Sequence, residues 1–455
     1  MQKNSFFFIQ YGMNITNIIE KHKKVHFIGI GGISMSGLST WLLNRNYKIT
    51  GSDLTLSKNT LKLKELGAKI CIGHNEKNIN EDTVVVYTSA ISEENVELVK
   101  ATKLSLPIIK RSELLGYITS LYENKIAISG CHGKTTVTAI LTHVFKNAQK
   151  DVVSFIGGED RQYSNFVDGK KDFAIFEACE FKKNLLDLNP TVALVLNIDN
   201  DHLDSYNSLD DIISVYNDFS KNSVLIYNAD DKNSNKLYNQ SAISFGVEKN
   251  SMYMARKISQ KNACFSFNVY EYGRNLGRIN LKIVGRYNVY NALAVIAVAR
   301  NYGISFNVIK KSIENFYGVK RRNEFLKKYN GKNVFTDYAH HPTEIREILK
   351  VYEEIGDALI IFQPHTYSRT KALMQDFVNV LNTKNTVVIY KTFAAREGFD
   401  EEGSAYNLFL KLKEIKKDVF YKEDEVSVKE FIKNNNSNNL LFLGAGDVYK
   451  IAEEL

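Results

Sequence analysis

The stretch with the clearest chemical content is Lys125-Ile-Ala-Ile-Ser-Gly-Cys-His-Gly-Lys-Thr-Thr136, where an apolar run leads into two glycines, a lysine and two threonines. Glycines allow the backbone to approach a polyphosphate closely, and amide groups at a helix start point toward its oxygens. Lys134 adds a fixed positive charge, and the Thr135 hydroxyl is a ligand for Mg²⁺. The stretch therefore predicts a site for ATP or GTP. Its residues are Gly130, Cys131, His132, Gly133, Lys134, Thr135 and Thr136.

The spacing of this loop departs from the common G-x-x-x-x-G-K-[ST] pattern, because the residue five positions before Gly133 is Ile128. A bare Gly-Lys-Thr-Thr also arises by chance, so the flanking elements must support the interpretation. The apolar run before the loop predicts a strand. The helix expected after it is indicated by apolar residues at helical spacing: Val137, Ile140, Leu141, Val144 and Phe145.

Two further apolar runs end in acidic residues, Phe173–Glu180 and Val192–His202. In a parallel sheet beside the phosphate loop, their carboxyl ends would converge on the metal and the terminal phosphate. Glu177, Glu180 and His202 are therefore candidates to complete the coordination of Mg²⁺ with Thr135. For each residue alone, the alternative is a solvated strand end, but three strand ends of one pattern favour a site.

Near the start, Lys24–Gly37 predicts a strand, a glycine-rich turn and a helix from about Ser36 to Asn44. The next strand ends at Asp53, where an acidic residue can meet a ribose, as in a doubly wound nucleotide-binding sheet. The turn breaks the G-x-G-x-x-G pattern, since Ser34 occupies the sixth position, which favours another nucleotide or diphosphate over NAD. A purely structural turn is the remaining alternative. The candidates for this site are Gly29, Gly31, Gly32, Ser34, Ser36, Asp53 and, after a later strand, Ser89.

The carboxyl-terminal third of the chain also contains predicted strands that end in polar residues. They lie in Val334–Pro342 and Ala358–Arg369. The ends of parallel strands form the ligand-binding edge of an α/β sheet. Several histidines and an arginine at one edge predict a surface for an anionic or zwitterionic substrate. The residues concerned are Asp337, His340, His365 and Arg369.

A helix that opens at Gly285 and runs to Tyr302 carries Asn288 and Asn291 three positions apart. Paired amides can recognise an adenine edge, although they also serve as ordinary helix-start residues. After Gly318, the run Lys320–Arg322 offers a clamp for phosphate or carboxylate.

The composition is that of an ordinary globular protein, with 44% hydrophobic and 24% charged residues among 455. The net charge of +8 is scattered rather than clustered, which suits small anionic substrates and argues against nucleic acid. Four widely separated cysteines argue against disulfides or a zinc site and indicate a cytoplasmic protein. No apolar run is long enough for membrane insertion or a signal peptide, and residues before Met13 are expected to be an extension without function.

Taken together and in order, these motifs resemble the Mur ligases of peptidoglycan synthesis from about Lys24 onward, and most closely the branch that adds L-alanine to UDP-N-acetylmuramate. The landmarks that carry the resemblance are Gly29–Gly37, Gly130–Thr136, Glu177–Glu180, Asn197–His202, Gly285–Asn288, Asp337–Pro342 and Phe362–Arg369.

The resemblance implies an α/β protein of three domains, with a Rossmann-like first domain, a P-loop-type ATPase sheet and a Rossmann-like last domain. The implied divisions are an extension at 1–22, a UDP-sugar domain at 23–122, an ATP domain at 123–318, and an amino-acid and nucleotide domain at 319–455. The implied cofactors are ATP and Mg²⁺, and the implied assembly is a monomer or weak homodimer that acts in cell-wall formation.

By the same resemblance, the glycine-rich turn, Asp53 and Ser89 face UDP-N-acetylmuramate. The nucleotide would be bound by Asn288, Asn291, Arg322 and Asp337, and the alanine site would be lined by Tyr338, His340, His365 and Arg369. The implied catalytic residues are Lys134, Glu180, His202, His340 and Arg369.

Three departures bear on these expectations. Cys131 replaces a common threonine of the loop, a small change that should preserve the backbone cradle. Thr366 stands where many relatives carry arginine, so binding of the alanine carboxylate would rely on Arg369. Branches that act later use a carbamylated lysine, and its expected neighbourhood, Ile213–Ser220, contains none, as in the alanine-adding branch.

Three alternatives stay open at this point. A sister ligase would attach another amino acid or a recycled peptide to the same UDP-sugar. A catalytically silent relative would bind UDP-sugar or ATP as a sensor, and a dehydrogenase would bind a nicotinamide cofactor.

Overall fold

The computed structural model describes residues 15–199, 206 and 208–455. They group into two compact units. The first unit takes in the described residues of Met1–Glu159 and Tyr163–Ile243, and the second takes in Asp160–Gln162 and Ser244–Leu455. The domain edges expected from the sequence, near residues 22, 122 and 318, stay predictions.

The first unit begins with a five-stranded parallel sheet in the order β3-β2-β1-β4-β5. Ile28, at the end of β1, lies opposite Ser52 on one side and Tyr87 on the other, so these strand ends meet at one edge. The strands are β1 (Lys24–Ile28), β2 (Lys48–Asp53), β3 (Lys69–Ile72), β4 (Val84–Tyr87) and β5 (Ile108–Lys110). The helices are α1 (Ile15–Lys21), α2 (Ile33–Leu43), α3 (Lys58–Glu65), α4 (Val96–Lys103) and α5 (Arg111–Ser120).

A second sheet of the same unit carries the phosphate loop, with neighbours in the order β8-β7-β9-β6-β10-β11. Strand β6 lies between β9 and β10, with Ile128 opposite Glu177 and Ser129 opposite Val195. The acidic strand ends therefore lie beside the loop. The strands are β6 (Asn124–Ser129), β7 (Val152–Asp160), β8 (Ser164–Val167), β9 (Phe173–Glu177), β10 (Val192–Val195) and β11 (Val224–Asn228). The helices are α6 (Lys134–Asn147) and α7 (Leu209–Ser220).

The second unit contains a strand and two hairpin connections, with β13–β14 and β14–β15 antiparallel. The predicted helix after Gly285 is confirmed as α8, which begins at Tyr287 and ends at Asn301. The bounds are β12 (Ile243–Gly246), β13 (Tyr253–Lys261), β14 (Cys264–Glu271), β15 (Arg274–Val284), α8 (Tyr287–Asn301) and α9 (Phe306–Glu314).

The last sheet has the order β16-β17-β21-β18-β19-β20, parallel except for the β16–β17 pair. Leu443 lies opposite both Asp337 and Phe362, so the carboxyl ends of three strands form one edge. The strands are β16 (Glu324–Tyr329), β17 (Lys332–Asp337), β18 (Ala358–Phe362), β19 (Thr386–Tyr390), β20 (Val419–Lys422) and β21 (Asn439–Leu443). The helices are α10 (Pro342–Ile355), α11 (Tyr367–Ala372), α12 (Met374–Leu381), α13 (Ala405–Lys413), α14 (Glu425–Asn434) and α15 (Val448–Glu454).

All three sheets are of the α/β type that the sequence predicts. Helix α2, however, begins at Ile33 rather than near Ser36, because Gly32 already provides the N-cap with an extended ψ of 147°. Ser34 and Ser36 therefore belong to the helix rather than to the turn before it.

Helix α2 also contacts both sheets of the first unit. A Cβ on Gly37 would lie 3.4 Å from the Phe155 ring, so the helix backbone passes close to the second sheet at this residue. Nearby, Trp41 Nε1 donates to Tyr122 Oη at 3.0 Å, and that hydroxyl donates to the Gly169 carbonyl at 2.9 Å. Among the described residues, no helix has both the length and the apolar content that a bilayer span requires.

Candidate active site

The phosphate loop is formed at two glycines whose φ angles are positive, 129° at Gly130 and 87° at Gly133. L-residues rarely adopt this region, so the sequence needs glycine at both turns. A Cβ on Gly130 would also lie 3.0 Å from the Asn197 carbonyl oxygen. Asn197 holds the loop in return, since its Oδ1 accepts from His132 N at 2.9 Å and its Nδ2 donates to His132 O at 3.1 Å.

Lys134 opens α6 and folds back over the loop, where Nζ donates to the Gly130 carbonyl and, at 3.4 Å, to that of Cys131. Its charged partner is Glu180, whose Oε2 lies 3.1 Å from Nζ. Burial would lower the pKa of the Lys134 ammonium, but the Glu180 carboxylate outweighs burial and holds this pKa above its ordinary value. The lysine is therefore a permanent positive charge at the helix start.

Beside this pair, Thr135 Oγ1 donates to Glu177 Oε2 at 3.2 Å, and Gly157 N donates to Glu177 Oε1 at 2.6 Å. A hydroxyl and a carboxylate are oxygen ligands of the kind that Mg²⁺ prefers. The donor set of Thr135, Glu177 and Glu180 therefore fits this cation. His202, the fourth predicted ligand, lies outside the described residues.

Four further residues contact the loop or its acidic partners; Asn197 and Asp199 belong to a stretch that the sequence already marked, whereas Gly157 and Tyr206 were not predicted. Gly157 contacts Glu177, and its substitution would place a Cβ 2.5 Å from the carboxylate. Asp199 has its Oδ2 3.5 Å from His132 Nε2, and its backbone N donates to Cys131 Sγ at 3.2 Å. Tyr206 donates its hydroxyl to the Glu180 carbonyl. Asn197, described above, is the fourth residue. These contacts depend on which strands are neighbours in the sheet, and no local sequence pattern predicts that order.

The glycine-rich turn of the first sheet is fixed by Asp53, whose Oδ2 accepts from Gly31 N at 2.9 Å. A Cβ on Gly31 would lie 2.8 Å from the same oxygen, so a side chain there would displace the carboxylate. Gly29 has a φ of 82°, which turns the chain away from β1. Asp53 thus supports the turn directly.

The remaining candidates of this sheet differ in exposure and partners. Ser34 accepts from Arg111 Nη1 at 3.3 Å, and Ser89 accepts from Asn184 Nδ2 at 3.4 Å. Ser36 is buried and accepts from Asn165 Nδ2 at 3.0 Å, within the contact between α2 and the second sheet. The structure thus places Ser36 in packing rather than in the glycine turn.

In the second unit, Asp337 is buried at the end of β17 and accepts from Asn323 N at 2.6 Å and Ala339 N at 2.7 Å. Burial raises the pKa of this carboxyl to about 6, although Arg322 and the two backbone N–H groups oppose the increase. Asn288 and Asn291 are buried in α8, where Asn291 Nδ2 donates to Asn288 Oδ1 at 2.9 Å.

The four predicted alanine-site residues are neighbours in the structure. The rings of His340 and His365 have centroids 5.8 Å apart, and Arg369 Nη1 lies 3.3 Å from His365 Nδ1. Tyr338 contacts His340 edge to face, with centroids 5.4 Å apart. Burial, with the adjacent His340, Arg369 and Arg321, lowers the pKa of His365 to about 3, so this imidazole is neutral at physiological pH.

A loop after β19 holds this group in place. Phe393 stacks on His365 at a centroid distance of 5.4 Å, and its carbonyl accepts from Thr366 N at 2.9 Å. Glu397 accepts from both the backbone N and the hydroxyl of Ser368, at 2.9 and 2.5 Å. The helix turn that carries Arg369 is thereby fixed, and neither Phe393 nor Glu397 was predicted from the sequence.

Comparison with known proteins identifies three family models along the chain. They are the Mur ligase family catalytic domain over residues 24–123, the Mur ligase middle domain over 128–299, and the Mur ligase glutamate ligase domain over 321–433. Among curated proteins, the chain is 39% identical to the UDP-N-acetylmuramate–L-alanine ligase of Clostridium beijerinckii, over 97% of this chain and 99% of that protein. It is 39% identical to the ligase of the same name from Aquifex aeolicus, over 96% and 97% of the two chains.

Solved structures show the same likeness. The UDP-N-acetylmuramate-alanine ligase of Thermotoga maritima is 28% identical and superposes with a TM-score of 0.82, over 95% of this chain and 97% of that one. A murein peptide ligase from Psychrobacter arcticus shares the fold with a TM-score of 0.74 at 20% identity, over 95% and 98%.

Proposed function

This chain belongs to the Mur ligase family, and we propose from that premise that it joins L-alanine to the lactyl carboxylate of UDP-N-acetylmuramate at the expense of ATP. The family is ATP-dependent, and the curated relatives that match nearly the whole chain carry the name of this activity. The observation in this chain that carries the proposal is the phosphate loop with Lys134 bound to Glu180 beside the Thr135–Glu177 pair.

The reaction needs two steps because a carboxylate is a poor electrophile. The lactyl carboxylate oxygen attacks the γ-phosphorus of ATP, and ADP leaves with the bridging oxygen. The neutral amine of alanine then attacks the acyl phosphate carbon, and inorganic phosphate leaves as the amide bond forms and the amine loses a proton. Phosphoryl transfer of this kind relies on positioning and on neutralising charge.

The residues of the phosphate loop suit the first step. Lys134 offers its ammonium to the phosphate oxygens, and the first-turn amides of α6 point at the same charge. Thr135, Glu177 and Glu180 would hold Mg²⁺, which supplies charge neutralisation on the phosphates when it is bound. His202 stays a predicted ligand.

The residues of the second unit suit the second step. Arg369 would bind the carboxylate of alanine, a role that Thr366 cannot take over because it carries no charge. His365 would orient the substrate as a neutral imidazole, since its lowered pKa makes it a weak base. In His340, Nδ1 lies 3.0 Å from the Tyr338 carbonyl oxygen and 3.3 Å from Glu344 Oε2, and these two acceptors orient a ring that would face the amine of alanine.

The other assignments follow from the same family premise. The glycine turn with Asp53 and Ser89 would bind the UDP-sugar, and Asn288, Asn291, Arg322 and Asp337 would contact the nucleotide. We further propose that the enzyme acts in the cytoplasm as a monomer or weak homodimer.

The test is phosphate release from the purified chain with ATP, Mg²⁺ and UDP-N-acetylmuramate, with and without each of a panel of amino acids. Release that requires both the UDP-sugar and L-alanine, with a product heavier by one alanyl residue, supports the proposal. Release with another amino acid or a peptide moves the assignment to a sister ligase. Binding of UDP-sugar or ATP without release favours a silent relative.

A further inference from the structure

A cavity lies at the edge of the second sheet that is opposite the phosphate loop, and the mechanism above makes no use of it. Its volume is about 580 Å³, which falls within the roughly 300–1,000 Å³ of small-molecule sites. Of the residues that line it, Lys125 is the second residue of β6, while Thr191 and Ser223 come directly before β10 and β11. Because these strands are parallel, the cavity lies at their amino ends.

The floor of the cavity is fixed by hydrogen bonds between the starts of these strands. Thr191 Oγ1 accepts from Lys125 N at 2.8 Å and donates to Lys125 O at 3.1 Å. Ser223 Oγ donates to the Pro190 carbonyl at 2.8 Å, and Val224 N donates to the Thr191 carbonyl at 2.9 Å. The strand starts are held together by the chain itself, so the shape of the cavity does not depend on a ligand.

The cation of this cavity is Lys125, whose side chain is partly buried. Within the described part of the chain, its ammonium donates no hydrogen bond, and no carboxylate oxygen lies within 4.0 Å of it. An ammonium group carries three hydrogens and accepts none, so Lys125 has donors left for a ligand. Partial burial strengthens the attraction of an anion to this charge, because less water screens it.

The other charged residues of the lining leave an excess of one positive charge. Lys221 Nζ lies 4.0 Å from Asp218 Oδ1, so these two side chains form a pair that is neutral overall. Lys125 supplies the excess. Asn189 and Asn222 add side-chain amides, and neither amide is hydrogen-bonded to another residue that the structure describes. Their N–H groups are further donors, and the net charge of the lining matches a monoanion.

Part of the lining is apolar. Leu186 is 43% exposed, and Leu188, Pro190 and Phe219 border the same space. A small inorganic ion gains nothing from these side chains, whereas an aliphatic or aromatic group buries apolar surface against them. The lining therefore suits an anion that carries an apolar body.

We propose that this cavity binds a small organic monocarboxylate, with its carboxylate on the Lys125 ammonium and its apolar body against Leu186 and Phe219. The single excess charge favours a carboxylate over a phosphate monoester, which carries close to two negative charges at neutral pH. The occupant would contact the start of β6, whose other end leads into the phosphate loop at Gly130. The site is separate from those of the proposed reaction and does not depend on the ligase assignment.

The test measures binding of benzoate, benzamide, acetate and phenyl phosphate to the full chain by calorimetry, with ATP and Mg²⁺ present to occupy the phosphate loop. Benzoate should bind at least about tenfold more tightly than benzamide, which is neutral, and than acetate, which has no apolar body. Lys125→Gln should weaken benzoate binding by about tenfold or more, because the charged donor is lost. Lys125→Arg should retain part of the affinity, since it keeps the charge.

Lys48→Gln is the matched control, because it removes the same charge from the same unit. Lys48 is exposed at the start of β2 and does not line the cavity, so its substitution should leave the affinity for benzoate unchanged. Binding of ATP by each variant shows that the variant is folded.

The proposal is wrong if the wild type does not distinguish benzoate from benzamide, or if a folded Lys125→Gln binds benzoate as tightly as the wild type does. Acetate or phenyl phosphate that binds as tightly as benzoate would indicate an adventitious ion only, which also contradicts the proposal. These titrations need neither the UDP-sugar nor alanine, so failure of the ligase assignment would be a separate result.

Discussion

The carboxylate of Glu180 lies 3.1 Å from the ammonium of Lys134, and the Glu180 side chain is only 2% exposed. The two charges neutralise each other in the described chain. A polyphosphate that binds the loop brings competing negative charge to Lys134, while a cation beside it would bring positive charge to Glu180. We expect from this pairing that nucleotide binding at Lys134 and metal binding at Glu180 favour each other.

The first prediction separates catalysis from stability at this pair. Lys134→Met removes the ammonium that pairs with the buried Glu180 carboxylate, which should cost roughly 3–5 kcal/mol of unfolding free energy. Turnover should fall at least about a thousandfold, since a charge that acts in the transition state is lost. Urea unfolding and phosphate release measure the two effects.

The matched variant is Lys134→Met with Glu180→Gln, which removes both charges. Stability should return toward the wild-type value while turnover stays lost. If the single variant is as stable as the wild type, Lys134 and Glu180 do not compensate each other in the folded chain.

The second prediction concerns Gly157, whose Cβ, if present, would lie 2.5 Å from both Glu177 oxygens. Gly157→Ala should push the flexible carboxylate away from Thr135 without disturbing the fold. Because Glu177 is a predicted Mg²⁺ ligand, the Mg²⁺ concentration for half-maximal activity should rise about 10- to 100-fold.

Gly398→Ala is the control for this substitution, since nothing lies within 4 Å of its added Cβ. A Mg²⁺ dependence that is the same in both variants and the wild type would remove Glu177 from the metal site.

The third prediction is a pH dependence of stability. The folded pKa of His365 is about 3, below the value of about 6.5 in an unfolded chain. As the pH falls below about 6.5, His365 binds a proton in the unfolded state but stays neutral in the folded state. The free energy of unfolding therefore decreases toward about pH 3. Because His365 is partly exposed and solvent screens its charge, we expect the free energy of unfolding to decrease by roughly 1–2 kcal/mol at about pH 5.

His365→Asn should remove this loss, so its unfolding free energy should fall less than that of the wild type between about pH 7.5 and about pH 5. Asp337 has the opposite sign, because its raised pKa gives stability that disappears as the pH rises through about 6. It is present in both proteins and cancels in the comparison. Equal slopes for the two proteins would contradict the prediction.

The fourth prediction tests the loop that fixes Arg369. Glu397→Gln retains the shape of the side chain but replaces a charged acceptor by a neutral amide, which weakens its hydrogen bonds to Ser368. The loss of charge assistance should cost about 0.5–1.5 kcal/mol, so KM for L-alanine should rise roughly three- to tenfold. KM for ATP and for the UDP-sugar should stay unchanged.

Glu401→Gln, on the same loop, is the matched control and should leave KM for alanine as it is. A uniform loss of kcat in Glu397→Gln, with no change in the KM for alanine, would show that Ser368 does not position the amino-acid site.

The sequence predicts those features that local chemistry determines. The positive φ angles at Gly130 and Gly133 require glycine. The apolar face of α6 is fully buried, as the spacing of its apolar residues predicts. The strand that ends at Glu177 was likewise evident from its apolar run. These features require only the residues within a few positions of each other.

Other features depend on which strands become neighbours. Gly157 meets Glu177 because β7 lies next to β9, and Glu97 meets Ser52 and His74 because three separate segments converge below the first sheet. Neither pairing leaves a local signal in the chain. Asn288 and Asn291 differ from these pairs, because their spacing in the sequence already places them close together, and the structure shows a hydrogen bond between their side-chain amides.

The hydrogen-bonded series from Trp41 through Tyr122 to Gly169 has a consequence for the energetics of the whole reaction. It ties the helix that follows the glycine-rich turn to the sheet that carries the phosphate loop, within one compact unit. With the substrates bound as we propose, the orientational entropy of bringing these two regions together is lost once, when the chain folds, and not again in each catalytic cycle.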